Sequence, residues 1–104
     1  MSEEILKKIG EMVESNKVIL FMKGTKEFPQ CGFSARAVAI LNEVGASFET
    51  VNVLDDNNIR EGIKLYGQWP TIPQLYINKE LVGGSDIMME MYENGELKTI
   101  VNKL

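Results

Sequence analysis

The chain has 104 residues and a net charge of −4 at pH 7, and its length predicts one small domain over residues 1–104. The acidic balance argues against a nucleic-acid partner, because nucleic-acid-binding domains present a basic patch to the phosphates. No apolar run approaches the ~20 residues that span a bilayer, so we expect no membrane partner either.

The first half of the chain predicts alternating helices and strands. Residues 3–14 carry one apolar stripe at helical spacing, and the first ten residues show no secretory or transit pattern. Residues 17–23, KVILFMK, indicate a strand buried on both faces, and residues 24–30 form a loop. A second helix is expected from about Gly32 to Gly45, followed by a strand over residues 47–54.

The second half predicts a helix, a hairpin and two more helices. Residues 55–67 begin with capping residues and end in glycine, as helices do. A turn rich in proline leads into a strand over 74–78, and the two residues KE connect it to a strand over 81–84. Because so short a connection requires antiparallel strands, the pair forms a hairpin. Helices over 85–95 and 96–104 complete the order αβαβαββαα, an α/β fold whose mixed four-stranded sheet has helices on both faces.

The counts of cysteine and histidine limit the chemistry. One cysteine excludes an internal disulfide and fits a reducing compartment, so we expect a cytoplasmic protein. The chain has no histidine, which removes the commonest metal ligand and the usual general base.

Three segments carry a family resemblance: KGTKEFPQCGFS at residues 23–34, WPTIPQLYIN at 69–78 and LVGGSDI at 81–87. In order and spacing they resemble the monothiol glutaredoxins of the CGFS type, over nearly the whole chain. The resemblance implies a thioredoxin-like fold, a glutathione site and a [2Fe–2S] cluster that is stored and transferred to apo-proteins. Lys26 departs from the family pattern, in which a proline is expected at this position.

Cys31 is the expected reactive residue and the expected metal ligand. It follows a buried strand and precedes a helix, whose N-terminus carries free N–H groups and about half a positive charge. Both features favour the thiolate, so we predict a lowered pKa, with Lys23 adding a positive charge nearby. The alternative is an ordinary buried cysteine, against which the strand–loop–helix context argues. Ser34 stands where a dithiol protein has its second sulfur, and we expect it to cap the helix.

The turn before the third strand is expected to bind the peptide backbone of glutathione. In thioredoxin-like folds a cis Ile–Pro bond faces the active cysteine, and here it would free the backbone groups of Ile72 to pair with an extended peptide. The alternative is a plain tight loop. Lys23 and Arg60 match the positions at which the family binds the glycine end of glutathione, whereas Arg60 taken alone is an ordinary solvated charge.

The GGSD segment is expected to bind the other end of glutathione. The backbone amides of Ser85 and Asp86 open a helix and form an anion site for the γ-glutamyl carboxylate. The Asp86 side chain can accept a hydrogen bond from the ammonium group. Gly83 and Gly84 permit positive φ and close approach. A hairpin exit followed by a helix cap requires the same residues, so both interpretations remain open.

Counting sulfurs makes cluster binding possible. A [2Fe–2S] cluster usually takes four thiolates, which two chains and two glutathione molecules supply together. The resemblance implies a cluster-bridged homodimer that delivers to apo iron–sulfur client proteins, with a BolA-like protein as a possible heterodimer partner.

Three functions remain open from the sequence. The first is the carrier of a glutathione-ligated cluster. The second is a glutathione-dependent thiol–disulfide oxidoreductase that works through Cys31 alone, because Ser34 cannot resolve a mixed disulfide. The third is an interaction domain without chemistry, against which the complete set of pocket residues argues. The resemblance favours the carrier.

Overall fold

A computed structural model describes residues 2–104. Its elements follow the predicted order αβαβαββαα, with one short 3₁₀ helix, Val53–Asp55, inserted after the second strand. The helices and strands are α1 (Glu3–Glu14), β1 (Val18–Met22), α2 (Gly32–Glu43), β2 (Glu49–Asn52), α3 (Asn57–Gly67), β3 (Gln74–Ile77), β4 (Glu80–Gly83), α4 (Ser85–Glu93) and α5 (Glu96–Asn102).

The four strands form one mixed sheet in the order β2–β1–β3–β4. Strands β1 and β2 are parallel, whereas β1 with β3 and β3 with β4 are antiparallel. The predicted α/β, thioredoxin-like architecture is therefore confirmed. The end of β1, the start of β3 and the end of β4 meet at one edge, because Phe21 pairs with Gln74 and Leu75 pairs with Gly83. This edge brings together three segments that are far apart in the sequence.

Both faces of the sheet are covered, as the fully buried β1 requires. Alternate β1 residues point to opposite faces: Leu20 packs with residues of α2, α4 and α5, and Phe21 packs with residues of α1 and α3. No helix within residues 2–104 combines the length and apolar character needed to cross a membrane.

The second strand is shorter than predicted. It ends at Asn52, and Val53 lies in the 3₁₀ helix rather than in the strand. The Asn52 side chain explains this early end, since its Oδ1 accepts a hydrogen bond from the Leu54 N–H at 3.0 Å and so turns the backbone. The same oxygen accepts from the Gly24 N–H at 2.9 Å, which connects the end of β2 to the loop after β1.

Candidate functional site

Cys31 is the N-cap residue of α2 and is partly exposed. The backbone N–H of Ser34 lowers the pKa of the thiol most strongly, and partial burial opposes that effect. The N–H of Phe33, the positive charge of Lys23 and the Ser34 hydroxyl lower the pKa further. The predicted lowering of the pKa is thus found, and free N–H groups at the helix start are its main cause. The sulfur is not sealed in the core, so the alternative of an inert buried cysteine is wrong.

Ser34 does not cap α2, contrary to our expectation. Its side chain is fully buried, and its Oγ accepts a hydrogen bond from the backbone N–H of Lys23 at 3.1 Å. The hydroxyl therefore joins the first turn of α2 to the end of β1. At the position where a dithiol protein has its second sulfur, this chain has a hydroxyl, and the hydrogen bond to it keeps Cys31 beside Lys23.

The loop between β1 and α2 is closed by its own backbone. Gln30 donates to the Lys23 carbonyl at 2.9 Å, and Thr25 and Phe28 exchange backbone hydrogen bonds at 3.2 and 3.1 Å. Gly24 has a φ of 94°, and a Cβ there would lie 2.5 Å from the Gln30 nitrogen. Only glycine fits such a position without displacing the loop. We call residues 23–34 the thiol wall of the site.

Lys26, the residue that departs from the family pattern, holds the outer part of this loop. Its ammonium donates to the Phe48 carbonyl at 2.7 Å and lies 4.2 Å from the centre of the Phe48 ring. These two contacts combine a charge-assisted hydrogen bond with a cation–π contact. They attach the loop to the segment that precedes β2. A proline at this position could make neither contact, because it has no ammonium group.

A second wall lies opposite the thiol and consists of residues 68–73, which we call the turn wall. The Ile72–Pro73 peptide bond in it is cis, as predicted. Beneath the turn, the fully buried Gln74 donates to the carbonyls of Trp69 and Thr71 at 3.0 and 3.2 Å. Sequence reasoning missed Gln74, because a glutamine in a strand gives no sign of which loop it will contact.

Between the two walls lies a cleft of about 520 Å³. All six residues predicted for the site line it, together with Phe33 and Trp69, and these six are Lys23, Cys31, Arg60, Ile72, Ser85 and Asp86. They come from four separate segments of the chain, namely the thiol wall, α3, the turn wall and the start of α4. The cleft has the size of a small-molecule site. Three cations line it, and Lys64 is paired with Glu61 at 3.2 Å, which leaves Lys23 and Arg60 for a ligand.

The third side of the cleft is the start of α4, where Gly84 is the N-cap. Gly83 has a positive φ of 142°, but the φ of Gly84 is −100°, so only Gly83 needs the freedom expected of both. A Cβ on Gly84 would lie 3.2 Å from the Pro73 carbonyl oxygen. Residue 84 is therefore a glycine because it packs closely against the turn wall.

Polar groups without partners face this part of the molecule. Within residues 2–104, the buried Ser85 Oγ and the buried Trp69 Nε1 make no hydrogen bond. Both residues line the cleft, and unpaired buried donors favour a polar ligand that supplies acceptors. Asp86 is exposed and lies 3.9 Å from Arg36 of α2, a partner that the sequence did not indicate. So exposed a pair contributes little energy, which leaves the carboxylate available.

The chain offers a metal only one thiol sulfur. Among the described residues, no three Cys, Asp or Glu side chains are grouped closely enough to hold a metal ion. Any cluster at Cys31 therefore needs ligands from outside the chain. Phe33 is 58% exposed and Phe28 74% exposed, so the surroundings of the thiol are open to such ligands.

The chain matches known proteins over most of its length. Residues 18–82 match the Glutaredoxin family. A monothiol glutaredoxin of Synechocystis sp. is 57% identical over 101 residues, which cover 97% of this chain and 94% of that protein. Mitochondrial monothiol glutaredoxin-5 of Saccharomyces cerevisiae is 49% identical over 106 residues, which cover 99% of this chain and 71% of the relative.

A solved structure agrees with these relatives. The solution structure of reduced poplar apo GrxS14 superimposes with a TM-score of 0.81 at 52% identity, covering 93% of this chain and 89% of the poplar protein. With the single thiol at the N-terminus of α2 and no second cysteine in the sequence, these matches show that the chain belongs to the glutaredoxin family, among its monothiol members.

Proposed function

We propose that this protein binds glutathione and carries a [2Fe–2S] cluster between two copies of the chain, for storage and transfer to apo iron–sulfur proteins. The single observation that carries the proposal is the position of Cys31, a partly exposed thiol of lowered pKa at the mouth of a cleft lined by Lys23 and Arg60. A thiolate is the form of cysteine that binds metals.

The cleft suits the charges of glutathione, which has two carboxylates and one ammonium group. Lys23 and Arg60 both line the cleft, so each can bind a carboxylate of the ligand. At the start of α4, the free N–H groups and the unpaired Ser85 hydroxyl attract the other carboxylate, and Asp86 is available to the ammonium. The glutathione thiol then lies beside Cys31, so the ligand supplies the sulfur that the chain lacks.

The cluster is what the protein carries, and two chains and two glutathione molecules together supply its ligands. Each chain contributes Cys31, and each bound glutathione contributes one thiolate, which makes four sulfurs for two irons. The exposed ring of Phe33 lines the cleft together with Cys31 and would be covered by the second copy. Because half of the ligands can diffuse away, the cluster is labile, which suits transfer. A BolA-like protein can take the place of the second copy. We place the protein in the reducing cytoplasm.

Anaerobic reconstitution tests this proposal. The protein is incubated with iron and sulfide, with and without glutathione, and its iron content and native mass are measured. We expect two irons per two chains and a dimeric mass only when glutathione is present. A colourless monomer in both samples would contradict the carrier function.

The same thiol favours a second function, a glutathione-dependent oxidoreductase. The Cys31 thiolate attacks the glutathione sulfur of a mixed disulfide, and the client leaves as a thiolate. A second glutathione thiolate then attacks the glutathione sulfur bound to Cys31, which releases glutathione disulfide and restores the Cys31 thiolate. Reduction of a glutathionylated peptide measures this route. A rate equal to that of a dithiol glutaredoxin would make this the main function.

A further inference from the structure

Gln74 is a fully buried polar side chain whose amide makes three hydrogen bonds. Its Nε2 donates both hydrogens, to the Trp69 carbonyl at 3.0 Å and to the Thr71 carbonyl at 3.2 Å. Its Oε1 accepts from the Tyr76 hydroxyl at 2.9 Å. A buried amide whose two donors and carbonyl oxygen all have partners is a rigid element, because each bond would be costly to lose.

The turn wall has few other attachments. At its start, Gln68 has a φ of 50°, and the Gln68 and Trp69 N–H groups donate to the last turn of α3 at 3.2 and 3.0 Å. From there the chain crosses to β3 without secondary structure of its own. The two carbonyls bonded to Gln74 lie in the middle of this crossing, so Gln74 sets the path of the backbone next to Ile72.

Tyr76 supports the orientation of the Gln74 amide. Burial raises the pKa of Tyr76 to about 12, with a smaller contribution from Tyr66, so its hydroxyl remains a donor at physiological pH. The carbonyls of Trp69 and Thr71 can only accept, so they direct Nε2 towards the turn, and the Tyr76 hydroxyl stabilises this orientation by donating to Oε1. The C-terminal end of α3 leaves room for the pair, since a Cβ on Gly67 would clash with the Tyr76 hydroxyl and lie 2.9 Å from Gln74 Oε1.

We propose that Gln74, supported by Tyr76, is a positioning residue that holds the turn wall in the shape that binds glutathione. Gln74 itself lies beneath the cleft and does not touch the ligand. This inference rests on the proposed glutathione site, because it names what keeps one wall of that site in place. Cys31 is on the opposite wall, so the reactivity of the thiol does not depend on Gln74.

Three variants test the inference. Gln74→Met keeps the volume of the side chain and removes its hydrogen bonds, and Tyr76→Phe removes only the hydroxyl. Tyr66→Phe is the matched control, since its ring packs 5.9 Å from that of Tyr76 but lies outside the cleft. For each variant we measure the glutathione dissociation constant, the amide exchange of Trp69, Thr71 and Ile72, the fluorescence of Trp69, which is the only tryptophan, and the alkylation rate of Cys31.

Gln74→Met is expected to weaken glutathione binding by roughly tenfold, the equivalent of about 1.4 kcal/mol. It should also speed amide exchange in the turn and shift Trp69 emission to the red, with unchanged Cys31 alkylation. Tyr76→Phe should act in the same direction by about threefold, and Tyr66→Phe should stay within about twofold.

Unchanged binding and unchanged turn exchange in Gln74→Met would overturn the inference. If Gln74→Met does not fold, the comparison of Tyr76→Phe with Tyr66→Phe decides, and equal behaviour of these two overturns it. If the unmodified protein binds no glutathione, the proposed function fails, while turn exchange and Trp69 emission still decide whether Gln74 holds the turn.

Discussion

The two walls of the cleft are built in different ways. The thiol wall is held by its own main chain, by the Ser34 hydroxyl and by the surface contact of Lys26. The turn wall is held from below by the buried side chain of Gln74. In the first wall, N–H groups and charge produce reactivity at a partly exposed atom. In the second wall, buried hydrogen bonds fix the path of the backbone against which the ligand would lie. Reactivity and fit can therefore be altered separately.

The largest expected effect comes from removing the thiol. Cys31→Ser should eliminate both cluster binding and alkylation, because the chain has no other thiol. Its free energy of unfolding should change by less than about 0.5 kcal/mol, since the residue is partly exposed. Iron analysis after reconstitution and urea unfolding measure the two results. Iron retained at the level of the unmodified protein would show that the ligand lies elsewhere.

The backbone of the thiol wall is tested next. Gly24→Ala should lower the free energy of unfolding by about 1–3 kcal/mol for positive φ alone, and further because its Cβ meets the Gln30 nitrogen. Gly45→Ala is the matched control, having a φ of 75° but no neighbouring atom within 4 Å. Urea unfolding of both variants measures the difference. Equal losses would mean that close approach at Gly24 is unimportant.

Lys23 and Arg60 should both contribute to glutathione binding, whereas only Lys23 should affect the pKa of Cys31. Lys23→Met and Arg60→Met should each raise the glutathione dissociation constant by roughly 5–10-fold, as expected for a charged contact near the surface. Lys98→Met, on the exposed side of α5, is the control. Calorimetric titration measures the constants. If all three variants bind equally, neither cation belongs to the glutathione site.

Only Lys23→Met should also change the pH profile of Cys31. The pKa of this thiol is lowered, and the Lys23 charge is one cause, although smaller than the N–H of Ser34. Losing the charge destabilises the thiolate, so the midpoint of alkylation against pH should move upward. The lowered pKa also stabilises the fold above the pKa of the unfolded thiol, and this contribution disappears as pH falls through the folded value. A midpoint that moves downward would contradict the assigned cause.

The smallest effect is expected at Lys26. Lys26→Met removes the contacts with Phe48 and should lower stability by about 1 kcal/mol, with faster amide exchange at Phe28 and Gln30. Lys26→Arg keeps a cationic donor and should recover most of the protection. Hydrogen exchange followed by NMR measures both variants. Equal amide exchange in the Lys26→Met and Lys26→Arg variants would show that the contact with Phe48 does not hold the loop.

The sequence predicted the elements and the reactive residue because both depend on local patterns. Helical and alternating apolar spacing predicted the order of helices and strands, and three motifs predicted which residues would meet at the cleft. The lowered pKa of Cys31 followed from its place before a helix. Burial of the alternating β1 residues required helices on both faces, which the structure shows.

What the sequence did not predict depends on contacts between distant segments. Gly24 and Asn52 are 28 residues apart, and Lys26 and Phe48 are 22 apart, so no local pattern indicates either pair. Gln74 lies within a recognised motif, but its role follows from the path of the turn above it. Ser34 was expected to cap a helix, because sequence alone does not show that β1 ends within reach of its hydroxyl.

Titration with S-methylglutathione, followed by amide chemical shifts, tests the central claim most directly. This ligand keeps the charges of glutathione but has no free thiol and cannot form a disulfide with Cys31. The chemical shifts therefore report non-covalent binding in the cleft alone. We expect saturable shifts on both sides of the cleft, at Lys23, Ile72 and Ser85, and none at the far end of the sheet around Lys17 and Gly45. Shifts confined to the far end, or no shifts at millimolar ligand, would contradict a glutathione site beside Cys31.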